Sequence, residues 1–146
     1  TVVDVVTVDV PVGPPDSVIH CGTTTCSAQN QVCCATYGNP VTYACVGSLG
    51  DCQGQDQSPI TCSSGDNCAS QGNAGFICCA TAGGPPNPNI NCGQITTVSQ
   101  VQCQQACDPQ QGEFEVGCDP QAQNCTDTSQ TCFASKCTLP GYGICQ

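Results

Sequence analysis

The side chains with the greatest chemical potential are the 18 cysteines in a chain of 146 residues. Thiolates ligate metals and act as nucleophiles, whereas thiols in an oxidising compartment form disulfides. Zinc sites favour C-x2-C pairs, and haem c attachment requires C-x-x-C-H. The sequence contains neither motif. The even count and the density of cysteines therefore predict a disulfide framework, with no metal ion and no cofactor.

The other candidate catalytic groups are a lone histidine and a pair of acids. A serine or cysteine nucleophile would need His20 as its base, but its place beside Cys21 favours a surface or packing role. Glu113 and Glu115 would share one face of a strand, as paired carboxylates do in some glycosidases. No tryptophan is present to stack on a sugar, so solvated acids are the better interpretation. We predict that the chain is not an enzyme.

Composition limits the partners of this chain. Eleven acids face the single base Lys136, for a net charge of -10. Such a surface repels phosphate backbones and anionic membranes, which argues against nucleic acid as a partner. No apolar run approaches the ~20 residues of a membrane span. The chain begins without Met or a basic leader, so we expect an extracellular or cell-surface protein after removal of an export signal.

Sugars are the remaining candidate partner suggested by the sequence. Asn124-Cys125-Thr126 is a formal glycosylation sequon, and Thr23, Thr24 and Thr25 form a short threonine run. Glycan attachment on Thr or Ser side chains is therefore left open.

The cysteines fall into three groups around a doublet. Cys33-Cys34-Ala35-Thr36 returns as Cys78-Cys79-Ala80-Thr81, and a degraded copy has Phe133 after Cys132. The groups are, in order, Cys21, Cys26, Cys33, Cys34, Cys45 and Cys52; then Cys62, Cys68, Cys78, Cys79, Cys92 and either Cys103 or Cys107; then Cys118, Cys125, Cys132, Cys137 and Cys145. This recurrence predicts repeated small modules.

Spacing relates the members of these groups. Cys26, Cys68 and Cys125 lie seven to ten residues before the doublet position, and Cys45, Cys92 and Cys145 lie twelve to fourteen residues after it. We expect Cys137 to replace the sulfur lost at Phe133, and the surplus member of Cys103 and Cys107 to bridge two modules. The connectivity as a whole is not fixed by spacing.

Turn-forming residues divide the cysteine-rich part into short segments. Gly- and Pro-rich stretches such as residues 38–40 and 83–89 interrupt β-type runs at residues 41–46, 76–79, 95–98 and 113–116. One helix is predicted over residues 98–106, where Val98, Val101 and Cys103 would share a face. The predicted fold class is a small, disulfide-rich, mainly β protein with long loops, repeated cysteine modules and an N-terminal extension strand.

The first twelve residues, TVVDVVTVDVPV, differ from the rest and are called the valine segment here. Its even positions are mostly apolar and its odd positions are mixed, as in a strand buried on one side. A proline-rich spacer follows, so we place domain boundaries at residues 1–17, 18–57, 58–112 and 113–146. An isolated strand of this kind must pair, either with its own body or with a neighbouring subunit.

Three resemblances accompany these patterns. Cys62, Asp66 and Cys68 followed by the Cys78-Cys79 doublet resemble the whey-acidic-protein four-disulfide core over about thirty residues. The whole body is similar to cysteine-rich repeat proteins exported by myxobacteria and related bacteria, which share the doublets and a Pro-Gly-Tyr ending, here residues 140–142. This likeness implies secretion and fold. The N-terminal arrangement resembles that of strand-donating pilus and spore-appendage subunits.

The sequence thus predicts an extracellular structural subunit that polymerises with itself, head to tail, into a disulfide-stabilised filament. The valine segment would be donated to the neighbouring subunit, and its interface residues would be Val2, Val6, Val8, Val10 and Val12. One alternative is a secreted protease inhibitor or binding module with residues 83–89 as its exposed loop. Another is a monomeric envelope protein with the strand folded back.

Overall fold

The computed structural model describes residues 17–38, 40–83, 98–135, 139 and 142–146. The strands in these ranges are β1 (Val18–Cys21), β2 (Thr24–Ser27), β3 (Val32–Thr36), β4 (Thr42–Val46), β5 (Gln57–Ile60), β6 (Ile77–Ala82), β7 (Val98–Gln104), β8 (Glu113–Glu115), β9 (Cys132–Ala134) and β10 (Gly143–Cys145). A short helix, α1 (Gly65–Ser70), precedes β6, and 3-10 turns occupy Leu49–Asp51 and Pro109–Gln111. The prediction of a small, mainly β, disulfide-rich fold is confirmed.

Six of the strands form one open sheet in the order β4-β3-β5-β7-β6-β8. The hairpin β1–β2 and the pair β9–β10 form two smaller sheets. All neighbours pair antiparallel except β5 and β7, which are parallel and share the register pair Ile60 and Val101. Short β-type runs separated by turns lead us to expect antiparallel strands, and the parallel joint corrects that expectation.

Side-chain hydroxyls supply much of the hydrogen bonding between β5 and β7. The Tyr37 N–H donates to Asp56 O, so the backbone groups of Asp56 face the side of β3. Successive residues of a strand turn their backbone groups to opposite neighbours. Pro59, three residues after Asp56, therefore turns its backbone away from β3 and toward β7. Proline has no N–H to donate there. Instead, Ser58 Oγ donates to Val98 O at 2.7 Å, and both N–H and Oγ1 of Thr61 donate to Val101 O. The two halves of the sheet are therefore connected by a short seam.

The predicted helix over residues 98–106 is wrong, because Val98–Gln104 is β7. Ala82 pairs with Val98 and Thr81 pairs with Gln100, so Ser99 is an extra residue, a β-bulge. The bulge places Val98 and Val101 on the same face, and both are fully buried. This i, i+3 spacing of buried residues imitates one turn of a helix in the sequence.

The core lies on the face of the large sheet that the β1–β2 hairpin covers. Its largest fully buried members are aliphatic side chains interleaved with disulfides: Ile19, Ile60, Val98, Val101, Val116 and Leu139. A second, smaller cluster consists only of Cys118, Cys125, Cys132 and Cys145. So few large apolar side chains leave the cross-links to supply part of the stability. In the described ranges, no helix has the length and hydropathy of a membrane span.

Candidate functional site: the disulfide framework and the open sheet edge

The cysteines of the described residues form eight disulfides. They join Cys21 to Cys33, Cys26 to Cys45, Cys34 to Cys52, Cys62 to Cys78, Cys68 to Cys103, Cys79 to Cys107, Cys118 to Cys132 and Cys125 to Cys145. Cys92 and Cys137, and with them the predicted role of Cys137, lie outside the described residues.

One connectivity recurs along the chain. In the first group, the bonds join the first cysteine to the third, the second to the fifth and the fourth to the sixth. Cys62, Cys68, Cys78, Cys79, Cys103 and Cys107 follow the same order. In the last group the first two of these bonds recur, and Phe133 stands where the doublet would supply the third. The division into domains remains a prediction.

The register of the strands explains this recurrence. Cys33 lies opposite Cys45, Cys78 opposite Cys103, and Cys132 opposite Cys145. Each cross-strand pair bonds to two cysteines of a covering segment: the β1–β2 hairpin, the α1 region or residues 118–125.

Two spacing predictions are corrected by these pairings. The counterpart of Cys45 is Cys103, not Cys92. Neither Cys103 nor Cys107 bridges two modules, because both bond within residues 62–107.

The sulfur clusters among the described residues do not offer metal ligands, because every described cysteine belongs to a disulfide. The sulfurs of Cys21, Cys26 and Cys33 lie within 4.8 Å of one another. All three atoms belong to disulfides, which have no thiolate with which to bind an ion.

His20 forms its hydrogen bonds through its backbone, and its imidazole lies edge-on to the Tyr142 ring with the two centroids 6.4 Å apart. Its N–H donates to Ser63 Oγ at 3.3 Å, and its carbonyl accepts from Tyr142 Oη at 2.7 Å. Ser63 Oγ in turn donates to Asn67 Oδ1 at 2.8 Å. Among the described residues, no hydrogen bond joins the exposed imidazole to a hydroxyl or an acid. The contacts of His20 place it in a structural network that fastens β1 to α1 and to the C-terminal strand region.

Glu113 and Glu115 both hold loops. As predicted they flank the buried Phe114 on one face of β8. Glu113 accepts from Gln104 Nε2 at 3.0 Å and from the Asp108 N–H at 2.6 Å. Glu115 accepts from the N–H and Oγ1 of Thr126 at 2.8 and 2.7 Å. Each carboxylate therefore accepts hydrogen bonds from nearby groups of the protein and stabilises the local backbone. In a catalytic acid–base pair, the carboxylates would instead have to face a substrate.

Three tyrosines are held neutral by burial. Desolvation raises the pKa of Tyr43 to about 12, with a smaller contribution from Tyr37. Desolvation likewise raises the pKa of Tyr37 and of Tyr142. The phenols of Tyr37 and Tyr142 act as hydrogen-bond donors, to Val98 O at 3.2 Å and to His20 O at 2.7 Å. Asp127 behaves oppositely, since hydrogen bonds from the Ser129 side chain and backbone lower its pKa.

The large sheet ends at β4 on one side. Because Tyr37 turns its backbone toward β5, the alternate residues of β3 face β4 and pair with Thr42, Ala44 and Val46. Tyr43 and Cys45 therefore turn their N–H and C=O groups outward. Within the part of the chain that the structure describes, these outward backbone groups have no hydrogen-bond partner.

A groove runs beside this edge, on the side of the β1–β2 hairpin. It has a volume of about 440 Å³, a mainly apolar lining, and walls that include Thr23, Thr24, Val41 and Tyr43. The hairpin turn approaches closely because Gly22 has a φ of +64° and no side chain. A Cβ there would lie 2.8 Å from Tyr43 Cδ2. Glycine thus lets the turn pack against the Tyr43 ring.

The other end of the sheet is protected. β8 has only three residues, two of them acidic, and Thr126 packs against it through its two bonds to Glu115. Short length and charge are the usual means of blunting an edge strand. Of the two edges of the large sheet that the structure describes, the β4 edge is therefore the one that combines length, neutrality and outward backbone groups.

The predicted interface residues Val2, Val6, Val8, Val10 and Val12 lie outside the described residues. No protein-family model, curated protein or solved structure matches this chain. The likeness to exported cysteine-rich repeat proteins and to the whey-acidic-protein core stays a prediction. The fold and the site define a small, disulfide-rich β protein, and its eight disulfides are typical of secreted or extracellular proteins.

Proposed function

We propose that this chain is a non-enzymatic extracellular structural subunit that polymerises by donating its valine segment to the sheet of the next copy. The observation that carries the proposal is the open β4 edge, in a chain that has twelve residues of strand-like composition ahead of β1. Unpaired N–H and C=O groups on an edge are a template for an added strand.

The disulfide framework supports this role. Eight cross-links restrict unfolding of a subunit that has a small apolar core. A segment donated from one face to a different face of the next copy makes a heterologous contact, which propagates into open filaments unless it closes into a ring. A stapled subunit of this kind would keep its shape in an assembly outside the cell.

The test compares adjacent substitutions in the full chain, with electron microscopy and sedimentation over a range of concentrations. Val8→Asp adds a carboxylate to the apolar face and should raise the concentration needed for assembly at least about 100-fold, since burying an unpaired carboxylate costs several kcal/mol. Thr7→Asp adds the same charge to the mixed face and should have a milder effect.

The outcomes separate the possibilities. Equal loss of assembly in both variants would show that the segment is buried on both faces. Monomers at every wild-type concentration would refute polymerisation and favour the folded-back envelope protein. The inhibitor alternative has no specific observation in its favour, and most of its candidate loop, residues 83–89, lies outside the described residues.

A further inference from the structure

We infer that the acceptor is the β4 edge of a second copy, with the even-numbered valines of the donated segment filling the groove beside it. This inference rests on the proposed function and adds to it the place of the contact and the face on which the donated side chains lie. Three independent observations carry it: the backbone groups of β4, the distribution of charge, and the position of the groove relative to Ser17.

The backbone of β4 is ready to extend the sheet. Tyr43 and Cys45 are two residues apart, the spacing at which an antiparallel neighbour forms successive hydrogen-bonded pairs. Their inward neighbours Thr42 and Ala44 already pair with β3. An added strand would therefore complete the outer groups of Tyr43 and Cys45 without disturbing the existing ladder.

Charge makes β4 the least repulsive place for another copy. Residues 18–50, which build β1 to β4, contain no Asp, Glu, Lys or Arg, although the chain has eleven acids. Five of those acids lie between residues 108 and 127, around β8. A donated segment carries Asp4 and Asp9, so it would meet like charge at β8 and a neutral surface at β4. Exposed charges act over about 8–10 Å at physiological salt, which covers the width of such a contact.

The groove sets the facing of the added strand. Side chains of a strand alternate between the two faces of a sheet, so every second residue of the donated segment would lie on the hairpin side of β4. The groove there is mainly apolar and lined by Val41, Tyr43 and the Thr23–Thr24 turn. Val6, Val8 and Val10 are three successive even residues that offer only apolar, β-branched side chains. They match this groove, whereas Thr7 and Asp9 suit the opposite, exposed side.

The path of the chain favours a second copy over the same copy. Ser17 lies at the open end of the hairpin, where its carbonyl accepts from the Ala28 N–H at 2.8 Å. The groove lies at the other end, beside Gly22. To fill its own groove, the valine segment would have to reverse along the hairpin through the spacer that follows it, which contains Pro14 and Pro15 directly after Gly13. Prolines of this density favour an extended, semi-rigid spacer.

Hydrogen exchange on the assembled full chain tests the acceptor edge. Filaments would be exchanged in D₂O, dissolved in dimethyl sulfoxide and analysed amide by amide by NMR, with the Val8→Asp chain as the unassembled reference. The amides of Tyr43 and Cys45 should exchange at least about 100-fold more slowly in filaments, because exchange there would require strand release. Those of Thr42 and Ala44 should change little, since they are already paired.

A matched pair of variants tests the groove. Val41→Asp places a carboxylate in it, and Ala44→Asp places one on the exposed opposite face of the same edge. We expect Val41→Asp to raise the concentration needed for assembly about tenfold or more, and Ala44→Asp to raise it much less. Far-UV circular dichroism of both variants verifies that they fold.

Each outcome decides between the possibilities. Filaments with new protection at Glu115, whose N–H faces away from β6, and none at Tyr43 and Cys45 would overturn the acceptor edge while leaving polymerisation intact. Protection of Tyr43 and Cys45 in wild-type monomers, independent of concentration, would show that the chain fills its own edge and would overturn the contact between copies. Equal effects of Val41→Asp and Ala44→Asp would overturn the facing of the strand.

Discussion

Replacing Asn67 with alanine should detach the β1–β2 hairpin from α1. Asn67 is 1% exposed, and its Oδ1 accepts from both the N–H and the Oγ of Ser63, at 2.6 and 2.8 Å. Its Nδ2 donates to Val18 O at 2.9 Å, across 49 positions of sequence. One amide thus shapes the loop before α1 and fastens that loop to the first strand.

The cost follows from the groups that lose a partner. Ser63 is buried, and each of its two donors left without an acceptor costs roughly 1–3 kcal/mol. Val18 is 41% exposed, so water can replace the amide there and we assign it little. Asn67→Ala should therefore lower the free energy of unfolding by about 2–6 kcal/mol, a large part of the ~5–15 kcal/mol typical of a domain.

Guanidinium denaturation with the disulfides intact, followed by circular dichroism, measures this loss. The Val8→Asp background keeps polymerisation from contributing to stability. Asn30→Ala is the matched control, because Asn30 is exposed in the turn between β2 and β3, and it should change stability by less than about 0.5 kcal/mol. Equal midpoints for the two variants would refute the role assigned to Asn67.

Three further predictions concern the tyrosines, the disulfides and the seam. Burial raises the pKa of Tyr43 to about 12 in the folded protein, whereas tyrosine in an unfolded chain has a pKa near ~10. The contribution of Tyr43 to the free energy of unfolding should therefore be fully present below pH ~10 and fall as pH rises toward about 12. Tyrosinate absorbance near pH ~10 in the folded protein would contradict this. Full reduction in denaturant should prevent refolding, because the small core cannot offset chain entropy, and native-like NMR dispersion of the reduced chain would show otherwise. Ser58→Ala should lower the free energy of unfolding by about 1 kcal/mol, because it removes the hydrogen bond to Val98 O. The control Ser48→Ala, at an exposed position, should lower it by less than about 0.5 kcal/mol. Equal losses in the two variants would show that the hydroxyl bonds between β5 and β7 do not stabilise the fold.

Features that depend on local composition were predictable from the sequence. Cysteine density predicts the disulfide-rich class, and the β-type runs at residues 41–46 and 113–116 correspond to Thr42–Val46 and Glu113–Glu115. These runs are bounded by Gly and Pro, which limit strands irrespective of tertiary contacts. The charge-free stretch of residues 18–50 is equally visible in the sequence, and it is the signal that sequence reasoning overlooked.

Features that depend on contacts distant in sequence were not predictable. Strand Gln57–Ile60 contains Pro59, which argues against a central strand, and its place depends on hydroxyl donors from Ser58 and Thr61. The Ser99 bulge gives β7 a helical spacing of buried residues. Counting twelve to fourteen residues from the doublet selects Cys92 as the counterpart of Cys45. The actual counterpart, Cys103, lies farther along because residues 84–97 lengthen the connection between the two strands in this part of the chain. Which strands lie at the two edges of the sheet depends on the strand order, which local composition does not determine.

The adjacent cysteines of each doublet have a mechanical consequence. A disulfide leads from Cys21 to Cys33, a peptide bond to Cys34, and a second disulfide to Cys52, with Cα–Cα spans of 5.5 and 5.6 Å. With ~3.8 Å for the peptide step, this path extends to about 15 Å, whereas the intervening chain drawn out at ~3.3 Å per residue would reach about 100 Å. Cys62, Cys78, Cys79 and Cys107 form a second such path. Tension along the chain would pass through sulfur and bypass the strands, so a pulled subunit would yield little length before a covalent bond opposed the force.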